Sequence, residues 1–121
     1  MFRLGIIEES MEDVKKLELI KPYFFSRRTE NVSEGEYPIW HINEYHVPDE
    51  KIEELLNILK EDIKQTWYMH AFSDRQLFVV FRGKYFEISL QRDDTWEEMI
   101  QYGVEKAKVE RYFLEDVPLD V

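Results

Sequence analysis

Apolar side chains along this chain fall into two clear periodicities. After Val47-Pro48-Asp49, the residues Ile52, Leu55, Leu56, Leu59 and Ile63 recur three and four positions apart. That spacing predicts an amphipathic helix with one buried stripe. Asp49, Glu50, Glu53 and Glu54 crowd its start and Lys60 and Lys64 its end, the charge order that a helix dipole favours. A second helix is expected from Asp94, where Thr95 and Glu98 fit a capping box. Its buried face is then Trp96, Met99, Ile100, Gly103, Val104 and Ala107. Gly103 costs about 1 kcal/mol against alanine inside a helix. Two readings stay open: it lets the helix approach a sheet closely, or the helix ends just before it.

Between these helices the pattern changes to runs rich in aromatic and branched residues. Segments 66–72, 76–82 and 84–90 read as strands, joined by Ser73-Asp74-Arg75 and Arg82-Gly83-Lys84 as turns. Leu77-Phe78-Val79-Val80-Phe81 is apolar on both parities, as a central strand covered on both faces must be. Residues 38–47 read as a strand entered at Pro38, residues 17–32 as one or two strands joined to it by Ser33-Glu34-Gly35-Glu36, and residues 109–114 as a last strand. The expected fold class is α+β: an antiparallel sheet with two helices packed on one face. This is a ferredoxin-like sandwich variant with a β-α-β-β-β-α-β core and an N-terminal strand extension. Residues 1–121 form one domain, with 1–36 as an extension or hairpin and 37–116 as the core.

Composition narrows the classes of function. With 121 residues and 44% hydrophobic side chains, the chain can bury a core without staples. It has no cysteine, which removes disulfides, thiolate metal sites and cysteine nucleophiles and suits a reducing cytoplasm. The start, Met1 to Glu9, is too short and too acidic for a signal peptide. A formal charge of −10 repels nucleic acid and anionic lipid, so neither is expected as a partner. Arg27-Arg28 is the local exception and reads as a solvated pair. No glycine-rich phosphate loop and no nucleophile elbow is present, so no cofactor is expected.

Several stretches resemble a group of small, uncharacterised, conserved prokaryotic proteins: Pro38-Ile39-Trp40-His41-Ile42, Val47 to Ile52, Trp67 to Phe72, Leu77 to Phe86 and Thr95 to Gly103. The resemblance covers roughly the last two-thirds of the chain and supports one compact domain. It implies no activity, cofactor or catalytic residue.

Strand parity supplies the candidate site. If Trp40, Ile42, Trp67 and Met69 face the helices, the opposite face collects His41, Asn43, Tyr45, Tyr68, His70, Tyr85 and Glu87, with Phe78 and Val80 beside them. Exposed aromatic sheet surface tends to be covered, so this face is expected to bind a small ligand, a partner protein or a second copy. The competing arrangement has the N-terminal strands covering it within one chain. The leading functional expectation is a non-enzymatic binding or interaction domain. The alternative is a metal-dependent hydrolase or other metalloenzyme using His41 and His70 with Glu87, or Glu44 with His46, since imidazole and carboxylate suit zinc, iron or manganese. On a strand, His41 and His46 point to opposite faces and cannot share an ion without a bulge.

Overall fold

A computed structural model describes residues 1–33 and 35–121; Glu34, within the expected Ser33–Glu36 turn, lies outside the described residues. Six strands form one antiparallel sheet: β1 (Phe2–Ile7), β2 (Phe24–Asn31), β3 (Ile39–Val47), β4 (Met69–Phe72), β5 (Leu77–Phe81) and β6 (Lys84–Ile88), in the order β2-β3-β1-β4-β5-β6. Among the described residues three α-helices accompany them: α1 (Ile52–Leu59), α2 (Asp94–Glu105) and the single turn α3 (Arg111–Leu114). A 3-10 segment, Val14–Tyr23, links β1 to β2, its start capped by Asp13, whose side chain accepts from the Lys15 amide. The fold is α+β with an antiparallel sheet, as its alternating strands and periodic helices require.

Three expectations are corrected. The amino-terminal segment is not an extension: β1 is an inner strand, paired with β3 on one side and β4 on the other. Its residues alternate buried Phe2, Leu4 and Ile6 with half-buried Arg3, Gly5 and Ile7, a period-two pattern. The last expected strand, 109–114, forms α3 instead, with Val109 and Leu114 turned into the core. The two long helices do not share a sheet face, so the ferredoxin-like layering does not form.

Register shows how the helices divide. Leu4 pairs with Tyr45 and Ala71, Ala71 with Phe78, and Phe78 with Glu87, so these residues share a first face. On that face Leu4, Ile6, Met69, Ala71, Phe78 and Val80 pack with Ile52, Leu55, Leu56 and Leu59 of α1 and with Ile20 of the 3-10 segment. Gly5 pairs with Glu44 and His70, His70 with Val79, and Val79 with Phe86, which defines the second face. There Phe72, Leu77, Val79, Phe81 and Ile88 pack with Trp96, Met99 and Ile100 of α2 and with Leu114 of α3. β5 is buried along its whole length because it serves both cores. Burying each large aliphatic or aromatic side chain contributes about 1.5–3 kcal/mol.

Helix α2 runs through Gly103 to Glu105, so the reading that ends it before Gly103 is excluded. A Cβ on Gly103 would lie 2.4 Å from Leu114 Cδ1 and 2.8 Å from Phe81 Cζ, which is why only glycine allows this approach. The helix is capped by Asp93, two residues earlier than the Thr95–Glu98 box implies. Asp93 Oδ1 accepts from the Thr95 amide at 2.9 Å, while Thr95 Oγ1 accepts from the Ser89 amide. No helix among the described residues is long and apolar enough to cross a membrane.

Candidate functional site

The expected open face does not assemble as one surface. His41, Asn43, Tyr45, Tyr85 and Glu87, with Phe78 and Val80, lie on the α1 side, whereas Tyr68 and His70 lie on the other. Parity within each strand holds; the relation between strands fails because β1 lies between β3 and β4. Ile42 pairs with Ile7, which shares its face with Gly5 and therefore with His70. Trp40 and Ile42 thus sit on the His70 side, opposite to Met69.

Each displaced residue has a structural partner. His41 Nδ1 donates to Glu9 Oε2 at 2.6 Å, and the His41 amide donates to Glu9 Oε1 at 2.7 Å. Burial works to raise the Glu9 pKa, but these hydrogen bonds outweigh it and hold the carboxyl below its ordinary value. Asn43 donates to Glu8, whose carboxyl is lowered mainly by its bond to Arg27. Tyr45 is buried at 2% exposure, which raises its phenol pKa, and Tyr85 donates to Glu53 Oε1 at 2.9 Å. Glu87 is exposed and accepts from Gln76.

The metal alternative loses its geometry on the same grounds. His41 and His70 occupy opposite faces, and Glu44 is already engaged. Its carboxylate accepts from Arg3 Nε at 2.8 Å and from His46 Nε2 at 2.6 Å, and Arg3 lowers its pKa. Phe25, at the bulge of β2, stacks on the His46 ring at 3.9 Å. Among the described residues, no three His, Asp or Glu side chains converge as a metal-ligand set.

The second face does hold a concavity. Helices α2 and α3 cover its β4-β5-β6 half, while the β2-β3-β1 half carries a cleft of about 710 Å³. Gly5 and Ile7 of β1 and Trp40 and Ile42 of β3 form its floor. Tyr37, Trp67, Tyr68 and Phe113 stand around it, with Arg28, Glu36 and Asp120 as the charged groups. The indoles of Trp40 and Trp67 meet at 5.3 Å, and Tyr37 approaches Trp67 at 6.2 Å. Trp67 precedes β4, just after a turn in which Thr66 has φ +73°, and it packs against the first core while also bordering the cleft. Lys64 braces Tyr37, donating to its hydroxyl at 3.0 Å.

At the other end of the cleft His70 Nε2 donates to the Asp120 carbonyl at 2.7 Å. Burial disfavours the imidazolium and lowers the His70 pKa, so the ring is a neutral donor near pH 7. Burial also raises the Tyr68 phenol. Of the residues expected in the site, Tyr68 and His70 line this cleft. Sequence reasoning missed Gly5, Trp40, Trp67 and Phe113. The alternation of Phe2 to Ile7 around a strand glycine was the available signal for the first, since strand glycines mark close approach of another backbone or ligand. Comparison with protein-family models, with curated proteins and with solved structures finds no match for this chain.

Proposed function

We propose that this protein is a binding domain whose ligand, a small and largely apolar molecule, lies in the cleft on the bare half of the second sheet face. The observation that carries the reading is an aromatic-lined concavity of ligand size. Its volume of about 710 Å³ falls within the range of small-molecule sites, roughly 300–1,000 Å³. Aromatic walls with a few polar groups give affinity through desolvation and orientation through the polar contacts. The alternating layers explain why the surface is bare here: the 3-10 segment and α1 occupy the first face, and α2 and α3 reach only three strands of the second.

Two of the three tryptophans line this cleft and the third, Trp96, sits in the α2 core. Anilinonaphthalene sulfonate therefore tests the reading directly. It should bind with about one equivalent and a blue-shifted emission, and should quench indole fluorescence by energy transfer. Trp40→Ala or Phe113→Ala should weaken binding about tenfold or more. Binding that neither variant alters would remove the cleft as the site.

A further inference from the structure

The cleft already holds a piece of the chain at one end. The segment Pro118–Val121 crosses from α3 onto the second face, and Pro118, Asp120 and Val121 line the cavity. Three contacts hold it. His70 donates to the Asp120 carbonyl, Arg3 Nη2 donates to Asp120 Oδ1 at 3.2 Å, and Val121 fills the notch left by Gly5. A Cβ at position 5 would stand 3.0 Å from Val121 Cγ1 and 3.3 Å from Cγ2, so the missing side chain is what admits the valine. The Asp120 side chain is 80% exposed, so solvent screens its ion pair with Arg3 and that contact holds the segment weakly. Leu119 is half exposed.

What the segment presents describes what this end of the cleft accepts. It offers an oxygen acceptor to a neutral imidazole N–H, a carboxylate to a guanidinium, and a branched aliphatic group to a glycine floor. Arg3 is held in place independently of Asp120, through Glu44 and by stacking over Phe72 at 5.2 Å, so its fork stays oriented when Asp120 leaves. Beyond it, Ile7, Ile42, Trp40 and Trp67 continue as an apolar track.

We propose that Pro118–Val121 is a displaceable strap and that the ligand replacing it is an amphipathic carboxylic acid. The acid's carboxylate takes the place of Asp120 on Arg3 and His70, and its apolar body lies along Ile7, Ile42, Trp40 and Trp67. This rests on the cleft being the binding site and adds the ligand class and the competing segment. Charge-assisted hydrogen bonds to guanidinium give the acid its advantage over a neutral isostere. A strap that closes the site part of the time lowers apparent affinity by the fraction of time the site is open.

The test is titration calorimetry with 2-naphthylacetate and its uncharged carboxamide, on the full chain and on Asp120→Ala and Val121→Ala. The acid should bind about tenfold more tightly than the amide. Each variant should bind the acid roughly threefold to tenfold more tightly than the parent. In parallel, the acid should broaden or shift the amide resonances of Asp120 and Val121 in the parent chain. Asp120 is exposed, whereas Val121 is half-buried against the second core, so thermal unfolding of each variant is measured first to establish that it is folded. Equal affinity for acid and amide, or unchanged affinity in both variants, would overturn the strap while dye binding sensitive to Trp40 left the cleft reading standing. Failure of the dye and both naphthyl compounds together would remove both.

Discussion

At the scale of single residues, His70 is the group whose surroundings matter most. It faces Asp120 and Arg3 and stacks on Phe72 at 5.6 Å, and burial holds its pKa below 6.5. The sign follows from linkage. Near and below pH 6.5 the unfolded chain takes up a proton that the native imidazole resists, so the unfolded state binds more protons. Stability contributed by the neutral ring is therefore complete above that pH and falls as the solution is acidified through it. Glu8, Glu9 and Glu44 act in a lower window. Their native pKa values lie below 4.5, so the stability they add persists until the pH drops beneath that value. The expected outcome is that thermal midpoints fall between pH 7.5 and 5.5, and that His70→Gln, which keeps a donor for the Asp120 carbonyl without titrating, flattens this slope. Parallel slopes in the two proteins, measured by circular dichroism, would show that His70 does not set it.

At the scale of elements, what was legible in the sequence tracks what is local. Helix α1 was readable because Ile52, Leu55, Leu56 and Leu59 carry a stripe that only one conformation buries. The β4-β5-β6 meander was readable because turn residues punctuate it, and β5 because both parities are apolar. The segment 109–114 was misread because Val109 and Leu114 are the buried ends of a stretch of only six residues, too short for its apolar spacing to separate a strand from a helical turn. Gly103 is the element-scale feature that tests the α2 packing. Alanine there gains about 1 kcal/mol of helix propensity. It also thrusts a methyl group against Leu114 and against Phe81, whose ring is already wedged by Phe86 and Tyr102. Overpacking of this kind costs about 1–3 kcal/mol and wins. Gly103→Ala is expected to lose about 1–2 kcal/mol in urea unfolding, despite being the better helix former. A variant as stable as the parent would mean that α2 and α3 sit further from the sheet than these distances require.

At the scale of the whole molecule, the candidate site was the least legible part, because it depends on strand order rather than strand pattern. Every parity assignment within β3 and β4 was right, yet the surface built from them was not, since β1 inserts between them and fixes their relative facing through Gly5. The same insertion has a consequence for cooperativity. One core lies under α1 and the other under α2, and they share no helix. They do share β4 and β5, whose successive residues alternate between them: Met69, Ala71, Phe78 and Val80 to one, Phe72, Leu77, Val79 and Phe81 to the other. Neither core can lose its packing without freeing one face of the strands that form the floor of the other. Single-transition unfolding is therefore expected, although the helices are separated by the sheet. Leu4→Ala in the first core and Met99→Ala in the second should each cost about 2–5 kcal/mol. Each should also shift the whole denaturation curve without changing its slope. In a background where Trp40 and Trp67 are replaced by Phe, Trp96 emission, from inside the second core, and far-ultraviolet dichroism, which reports all helices, should give coincident midpoints in both variants. If Leu4→Ala moved the dichroism midpoint ahead of the Trp96 signal, the α1 side would be opening on its own, and the shared strands would not couple the two halves.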